Sequence, residues 1–175
     1  MVKTEDGVRV VVFDGKDNFL ESEEVAPRTM TDNEPFTFAA FVKPGSSGQG
    51  STLLKLSERA GFSYSNGSLG TPLRRQSRDP QHEQPRAKVG PWVHVACVYE
   101  GSRKPSHIYV DGKLVNSVYW SAFFARPDFQ MKIGNGFGGG IARMQMWRGV
   151  KSAEEIAKMA QAAHGRVVVE EAKTE

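Results

Sequence analysis

Short strand-like segments follow one another along most of the chain, and turn residues separate them. Apolar, β-branched and aromatic residues dominate the segments, and no long helical pattern alternates with them. The predicted strands are Val8–Phe13, Asn18–Glu21, Phe36–Lys43, Thr52–Leu56, Phe62–Tyr64, Trp92–Glu100, His107–Val110, Lys113–Tyr119, Gln130–Ile133 and Ile141–Trp147. This succession predicts an all-β sandwich and disfavours a parallel α/β sheet.

The pair Asp111-Gly112 predicts the tightest turn in the chain. Both central residues of a two-residue type I′ turn need a positive φ angle, and Asp-Gly is among the pairs that adopt it most readily. Apolar-patterned runs flank the pair on both sides. We therefore expect His107–Val110 and Lys113–Tyr119 to form one antiparallel hairpin.

The stretch WVHVACVY, from Trp92 to Tyr99, predicts a central strand. It is apolar on both faces except at His94, as expected where a sheet is covered on both sides. The only cysteine, Cys97, falls inside it, which excludes a disulfide framework and favours a small buried side chain. His94 is expected to be a hydrogen-bonded structural histidine.

One helix is predicted near the C-terminus, over residues 152–164. Ser152 and Glu155 have the spacing of a capping box, and apolar residues then recur at helical intervals. Gly165 is expected to end the helix, and Arg166–Val169 to form one more short strand. The chain is thus predicted to be a single domain over residues 1–170 with a charged tail at 171–175.

The composition indicates the compartment in which the protein is expected. No apolar run is long enough for a membrane helix or for the core of a signal peptide. With a single cysteine, a reducing compartment fits best. The sequence therefore predicts an intracellular, cytoplasmic protein. Its net charge of +3 is concentrated between residues 71 and 91, which is a local basic patch and no specific nucleic-acid motif.

The order of several short blocks resembles a known family. The blocks FDGKDNFLE, FTFAAFVKP, WVHVACVYEG, IYVDGKLV, MKIGNG and GGGIARMQMWRGVKSAEEI are similar to those of laminin G-like domains in the concanavalin A-like lectin/glucanase superfamily. The similarity extends from about residue 8 to residue 160. It implies a jelly-roll sandwich of two curved antiparallel sheets, with the Asp111-Gly112 hairpin at one rim.

Enzymatic activity is not expected. The glucanase branch of the superfamily carries an E-x-D-x-x-E strand, because retaining hydrolysis needs two closely spaced carboxyl groups, and this spacing does not occur here. The four histidines lack the spacing of zinc ligands. The stretch GNGFGG precedes a predicted strand, whereas a dinucleotide loop precedes a helix.

Calcium is disfavoured as a cofactor. Many laminin G-like relatives hold this ion with an acidic residue that opens the last long strand, where this chain has Ala142 and Arg143. The remaining candidates for a vestigial site are Asp14, Asp17, Asn18 and Asn135. One hypothesis is that the guanidinium of Arg143 replaces the cation and pairs with Asp14 or Asp17. The alternative is that Arg143 is a solvated strand residue.

Two segments are candidate binding surfaces. The basic segment from residue 71 to 88 contains Arg74, Arg75 and Arg78, whose guanidinium groups suit sulfate, phosphate or carboxylate groups, unless it is only a solvated loop. The aromatic segment from residue 119 to 129 offers a platform for a sugar ring or an anchor for a protein, unless its aromatic residues all lie in the core. Its candidate contact residues are Tyr119, Trp120, Phe124 and Arg126.

These features together predict a non-catalytic recognition module with a lectin-like fold. A protein partner, bound by an interaction or assembly subunit, is placed slightly ahead of a glycan, because no cystines, signal peptide or complete calcium block are present. The alternative is a carbohydrate-binding lectin for glycans, including sulfated or acidic ones. The sequence leaves the oligomeric state open.

Overall fold

The computed structural model describes residues 2–5, 8–25, 34–45, 51–55, 61–65, 68–70, 90–101, 104–119 and 130–171. Its elements, in chain order, are β1 (Val2–Glu5), β2 (Val8–Asp14), β3 (Leu20–Val25), β4 (Phe36–Pro44), β5 (Ser51–Lys55), β6 (Gly61–Ser65), β7 (Ser68–Gly70), β8 (Val93–Tyr99), β9 (Pro105–Val110), β10 (Lys113–Tyr119), β11 (Gln130–Ile133), β12 (Gly138–Arg148) and α1 (Ala153–Glu171). Each of the ten strands predicted between Val8 and Trp147 is present to within a few residues.

The strands form two sheets in which every neighbouring pair is antiparallel. One sheet has seven strands in the order β1-β2-β12-β4-β8-β9-β10, and the other has five in the order β3-β11-β5-β6-β7. The predicted all-β, two-sheet jelly-roll architecture is therefore confirmed. The short strands β1 and β7 were not predicted, because VKTE and SLG carry little alternating apolar pattern and become strands through pairing with β2 and β6.

The main core lies between the two sheets. Alternate residues of β4 and β8 point into it, as period-two side-chain alternation requires. The side chain of Cys97 is 1% exposed and belongs to this core, and burial raises the pKa of its thiol. The core residues from the larger sheet include Phe13, Phe36, Phe38, Val42, Val95, Tyr99 and Ile141, and those from the smaller sheet include Leu53, Leu54, Phe62 and Tyr64.

Helix α1 covers the outer face of the seven-stranded sheet. The buried Ile156 packs with Ala39, Ala96, Val98 and Tyr109, which project from the sheet away from the main core. The predicted capping box is confirmed, since the Glu155 N–H donates to Ser152 Oγ at 3.2 Å and the Ser152 N–H donates to Glu155 Oε2 at 2.8 Å. Hydrogen bonds from the side chain of Lys151 and the backbone of Ser152 lower the pKa of Glu155.

The prediction for the end of this helix was wrong. The helix continues through Gly165 to Glu171, so the predicted strand Arg166–Val169 is helical, and the helix includes the first residue of the predicted charged tail. A helix satisfies its own backbone hydrogen bonds, whereas a strand needs a neighbour with a free edge. One glycine inside a helix costs only about 1 kcal/mol, which does not force a stop.

Two buried serines on inward positions allow a matched test of buried polar groups. The Ser51 hydroxyl donates to the carbonyl of Tyr64 at 2.5 Å, whereas the Ser106 hydroxyl has no hydrogen-bond partner in the described part of the chain. Replacing Ser51 with alanine is expected to lower the free energy of unfolding by about 1–2 kcal/mol, because the carbonyl loses its side-chain donor. Ser106→Ala is expected to be neutral or stabilising by up to about 1 kcal/mol.

Urea denaturation of the two alanine variants beside the unmodified protein measures both differences. The two substitutions delete the same atom at sites that are equally buried, so the comparison isolates the hydrogen bond. Equal losses of stability in the two variants would contradict this account.

Candidate functional site

Loops from both sheets meet at one end of the sandwich, which we call the upper rim; the opposite end is the lower rim. Antiparallel pairing places the end of β2, the end of β4, the start of β8 and the end of β9 side by side there. The upper rim consists of residues 15–19, Pro44-Gly45, residues 90–92, the Asp111-Gly112 turn and residues 134–137.

Backbone hydrogen bonds join these loops. The Gly15 N–H donates to the Phe137 carbonyl at 3.0 Å, and the Gly45 N–H donates to the Gly138 carbonyl at 2.8 Å. The Thr52 N–H donates to the Asn135 carbonyl at 2.8 Å. Because each bond connects segments that are distant in sequence, the upper rim has a defined backbone on which exposed side chains are displayed.

Four of the predicted site residues come together at the upper rim. Asp14, Asp17 and Asn18 lie at the β2–β3 connection, Asn135 lies in the loop that contacts it, and the side chains of all four are exposed. Two of them also shape their own turn. Asp14 Oδ1 accepts from the Lys16 N–H, and Asn18 Oδ1 accepts from the Asp14 N–H, both at 2.9 Å.

Two of the oxygens that a calcium site at this rim would need already have hydrogen-bond partners. Calcium takes six to eight oxygen ligands, and the side-chain oxygens of Asp14 and Asn18 already accept backbone hydrogen bonds within the turn. Among the described residues, no group of three or more Asp, Glu, His or Cys side chains is placed to hold a metal ion. We therefore derive no role for calcium from this rim.

The hypothesis that Arg143 pairs with Asp14 or Asp17 was wrong. On β12, Gly138 lies opposite Asp14, and Arg143 is five positions further along the strand. At about 3.3 Å per residue this is roughly 16 Å, and it leads away from the upper rim. Arg143 instead forms a β-bulge between Ala142 and Gln145, with a φ angle of 48°.

The Asp111-Gly112 turn is a structural part of the rim. Its φ angles of 47° and 76° confirm the predicted type I′ geometry. The Asp111 N–H donates to the His94 carbonyl at 2.8 Å, and the His94 N–H donates to Asp111 Oδ1 at 2.9 Å. A Cβ atom at Gly112 would lie 2.8 Å from the Cα of Ala157, so the turn needs glycine to pack against α1.

Trp92 is an aromatic residue of the rim that the sequence had placed in a strand. Its ring lies against Gly140 on the outer face of the larger sheet, since a Cβ atom added there would be 3.0 Å from Trp92 Cη2. Lys43 Nζ is 5.8 Å from the ring centroid and 3.2 Å from Glu5 Oε2. The sequence signal that could have located Trp92 at the rim is its position directly after the turn residues Gly90 and Pro91.

The remaining predicted site residues lie outside the described residues. These are Arg74, Arg75 and Arg78 of the basic segment, and Trp120, Phe124 and Arg126 of the aromatic segment. Tyr119 is described only through its backbone, which pairs with Pro105 at the lower rim. Gly90, the first described residue after the basic segment, lies at the upper rim, where its N–H donates to the Pro44 carbonyl.

Comparison with solved structures shows the same fold at low sequence identity. Domain 4 of an extracellular arabinanase from Geobacillus stearothermophilus, solved with arabinotriose, is 15% identical with a TM-score of 0.66, over 92% of this chain and 82% of that one. A heptameric SAP-like pentraxin from Limulus polyphemus is 14% identical with a TM-score of 0.58, over 90% and 84%. The binding domain of botulinum neurotoxin DC, in complex with SialylT, is 13% identical with a TM-score of 0.55, over 92% and 41%.

Sequence comparison identifies the family. No curated protein matches the chain significantly. No helix in the described ranges is long and apolar enough to span a membrane. A sequence model of the concanavalin A-like lectin/glucanases superfamily, of laminin G type, matches residues 14–157, which is most of the chain. With its two antiparallel sheets in jelly-roll arrangement, the chain therefore belongs to the concanavalin A-like lectin/glucanase superfamily as a laminin G-like domain.

Proposed function

We propose that this domain is a non-catalytic recognition module that binds a glycan at the upper rim. The observation that carries the proposal is the group of exposed polar side chains, Asp17, Asn18 and Asn135, on loops joined by backbone hydrogen bonds. Such side chains match the hydroxyl groups of sugars, and a rigid backbone lowers the entropy lost on binding.

The similar structures support a sugar as the ligand. The arabinanase domain was solved with an arabinose trisaccharide, and a type C botulinum neurotoxin is described as depending on two ganglioside molecules for cell entry. These proteins share the fold but little sequence, so they support the class of ligand and name no particular sugar. They are the reason why we propose a glycan as the ligand, although the sequence placed a protein partner first.

Five of the described carboxylates support a binding role over a catalytic one. Glu5, Glu21 and Glu155 each lie within 3.2 Å of a lysine Nζ. At the upper rim, the carboxylates of Asp14 and Asp111 accept backbone N–H groups. Glycoside hydrolysis needs one carboxylic acid and one carboxylate on either side of the sugar bond. Carboxylates that already pair with lysines or accept hydrogen bonds within turns are poorly suited to this acid–base chemistry.

The test is a glycan array that includes arabino-oligosaccharides, sialylated glycans and sulfated glycans, followed by titration of the best ligand. The double variant Asp17→Ala/Asn135→Ala is expected to bind at least about tenfold more weakly, because two hydrogen-bonding side chains are lost. Lys104→Ala is the control, since Lys104 is exposed and follows Gly101 at the lower rim. Its affinity should equal that of the unmodified protein.

Calcium and chelator should leave the affinity unchanged, because the turn occupies side-chain oxygens of this rim. A glycan that binds the double variant as tightly as the unmodified protein would contradict the rim assignment. An array without any saturable ligand would overturn the glycan proposal and favour the protein partner. Native co-purification of the full chain would then be the next experiment.

A further inference from the structure

Three side chains near the lower rim, two on the β9–β10 hairpin and one directly after β8, form a continuous chain of contacts. Ser117 Oγ is 2.8 Å from His107 Nδ1, and His107 Nε2 is 3.2 Å from Glu100 Oε1. Ser117 on β10 lies opposite His107 on β9, and Glu100 directly follows β8. The side chains of His107 and Glu100 are 23% and 32% exposed, and Ser117 is half-buried, so solvent and small reagents reach the group.

The partners fix the direction of each hydrogen bond when the imidazole is neutral. The ionised Glu100 carboxylate only accepts, so Nε2 carries the ring proton and donates it. Nδ1 then holds a lone pair, and the Ser117 hydroxyl donates to it. A hydroxyl that donates a hydrogen bond to a base, which is in turn oriented by a carboxylate, is the arrangement that activates a serine as a nucleophile.

The position of β10 places Ser117 and His107 near one edge of the larger sheet. β10 is the terminal strand of the seven-stranded sheet, and no other strand in the described residues pairs with its outer side. Ser117 therefore lies on a strand that has one neighbouring strand, β9, within the described residues.

We propose that Ser117 is an activated nucleophile and a site of covalent acylation by activated esters or thioesters. Ser117 Oγ bonds to the acyl carbon, and the bond from that carbon to the leaving oxygen or sulfur breaks. The hydroxyl proton passes through His107 Nδ1 to the leaving group, while Glu100 stabilises the transient imidazolium. No electrons are exchanged with an oxidant or reductant. The site is separate from the upper rim, so it does not depend on glycan binding.

The experiment treats the folded protein with p-nitrophenyl acetate and, in a separate reaction, with a fluorophosphonate. Intact mass and peptide mapping then locate the label. We expect one acyl or phosphonyl group per chain, on Ser117, and no label in Ser117→Ala. His107→Gln should lower the labelling rate by about a hundredfold or more, and Glu100→Gln by about tenfold or more. Ser152, an exposed serine that caps α1, is the internal control and should stay unlabelled.

Melting temperatures of the variants separate loss of reactivity from loss of folding. The labelling of the unmodified protein tests the proposal even if a variant does not fold. The proposal is overturned if Ser117 of the unmodified protein remains unlabelled, or if the label lies on another residue. It is also overturned if folded His107→Gln is labelled as fast as the unmodified protein, since a merely structural histidine would have that result.

Discussion

Replacing Gly139 with alanine is expected to lower the free energy of unfolding by more than about 3 kcal/mol. The φ angle at Gly139 is 145°, a region that residues with a Cβ atom rarely adopt, at a cost of about 1–3 kcal/mol. The new Cβ atom would also lie 2.3 Å from the Lys43 carbonyl oxygen and 2.8 Å from the Gly45 nitrogen. Both atoms belong to the backbone, so relief requires β12 and β4 to separate at the upper rim.

Gly90→Ala is the matched control for this prediction. Gly90 has a φ angle of 105°, but a Cβ atom there meets nothing within 4 Å. This variant therefore measures the conformational cost alone, which is expected to be about 1–2 kcal/mol. Urea denaturation of both variants gives the difference. If Gly139→Ala were no more destabilising than Gly90→Ala, the close approach of β12 to β4 would be wrong.

Phe137→Ala is expected to cost about 3–5 kcal/mol, as is typical of a buried phenylalanine. The Phe137 side chain is 0% exposed, and its ring centroid is 6.3 Å from that of Phe13 and 6.0 Å from that of Tyr64. It therefore links strands of both sheets beneath the upper rim. Because the Phe137 carbonyl also accepts the Gly15 N–H, we expect weaker glycan binding as well as lower stability.

Phe19→Ala is the control, because it removes a phenylalanine ring that is not buried in the core. Phe19 is 38% exposed, and its ring lies 4.9 Å from Lys132 Nζ. Loss of an exposed cation–π contact should cost no more than about 1 kcal/mol. Thermal and urea unfolding of the two variants measure the contrast. Comparable losses at Phe137 and Phe19 would mean that the rim is not anchored through the core.

Elements with local chemical signals were predicted well from the sequence. Asp111-Gly112 specifies its turn through the φ angles that these residues tolerate, and Ser152 with Glu155 specifies the start of α1 through reciprocal hydrogen bonds. The end of α1 lacked such a signal. Gly165 only weakens a helix, and the valines after it suit a strand only where a partner edge is free.

The sequence identified some of the residues that lie together at the upper rim. The family resemblance pointed to Asp14, Asp17, Asn18 and Asn135, and these residues do meet at the upper rim. Arg143 does not join them, because the register of β12 against β2 places it well along the strand. The contact of Trp92 with Gly140 at the rim was missed, since it joins residues that lie far apart in the sequence.

The sequence by itself determined the all-β class, the hairpin turn, the start of the helix and the family, because each rests on residue types at short spacing. Only the tertiary structure decided which side chains face each other across strands. Counting outward from Asp111-Gly112 would place His107 opposite Asn116, but a register shift between Leu114 and Asn116 places it opposite Ser117. A bulge inserts one residue into one strand and changes every later pairing, and its position depends on how the whole sheet packs.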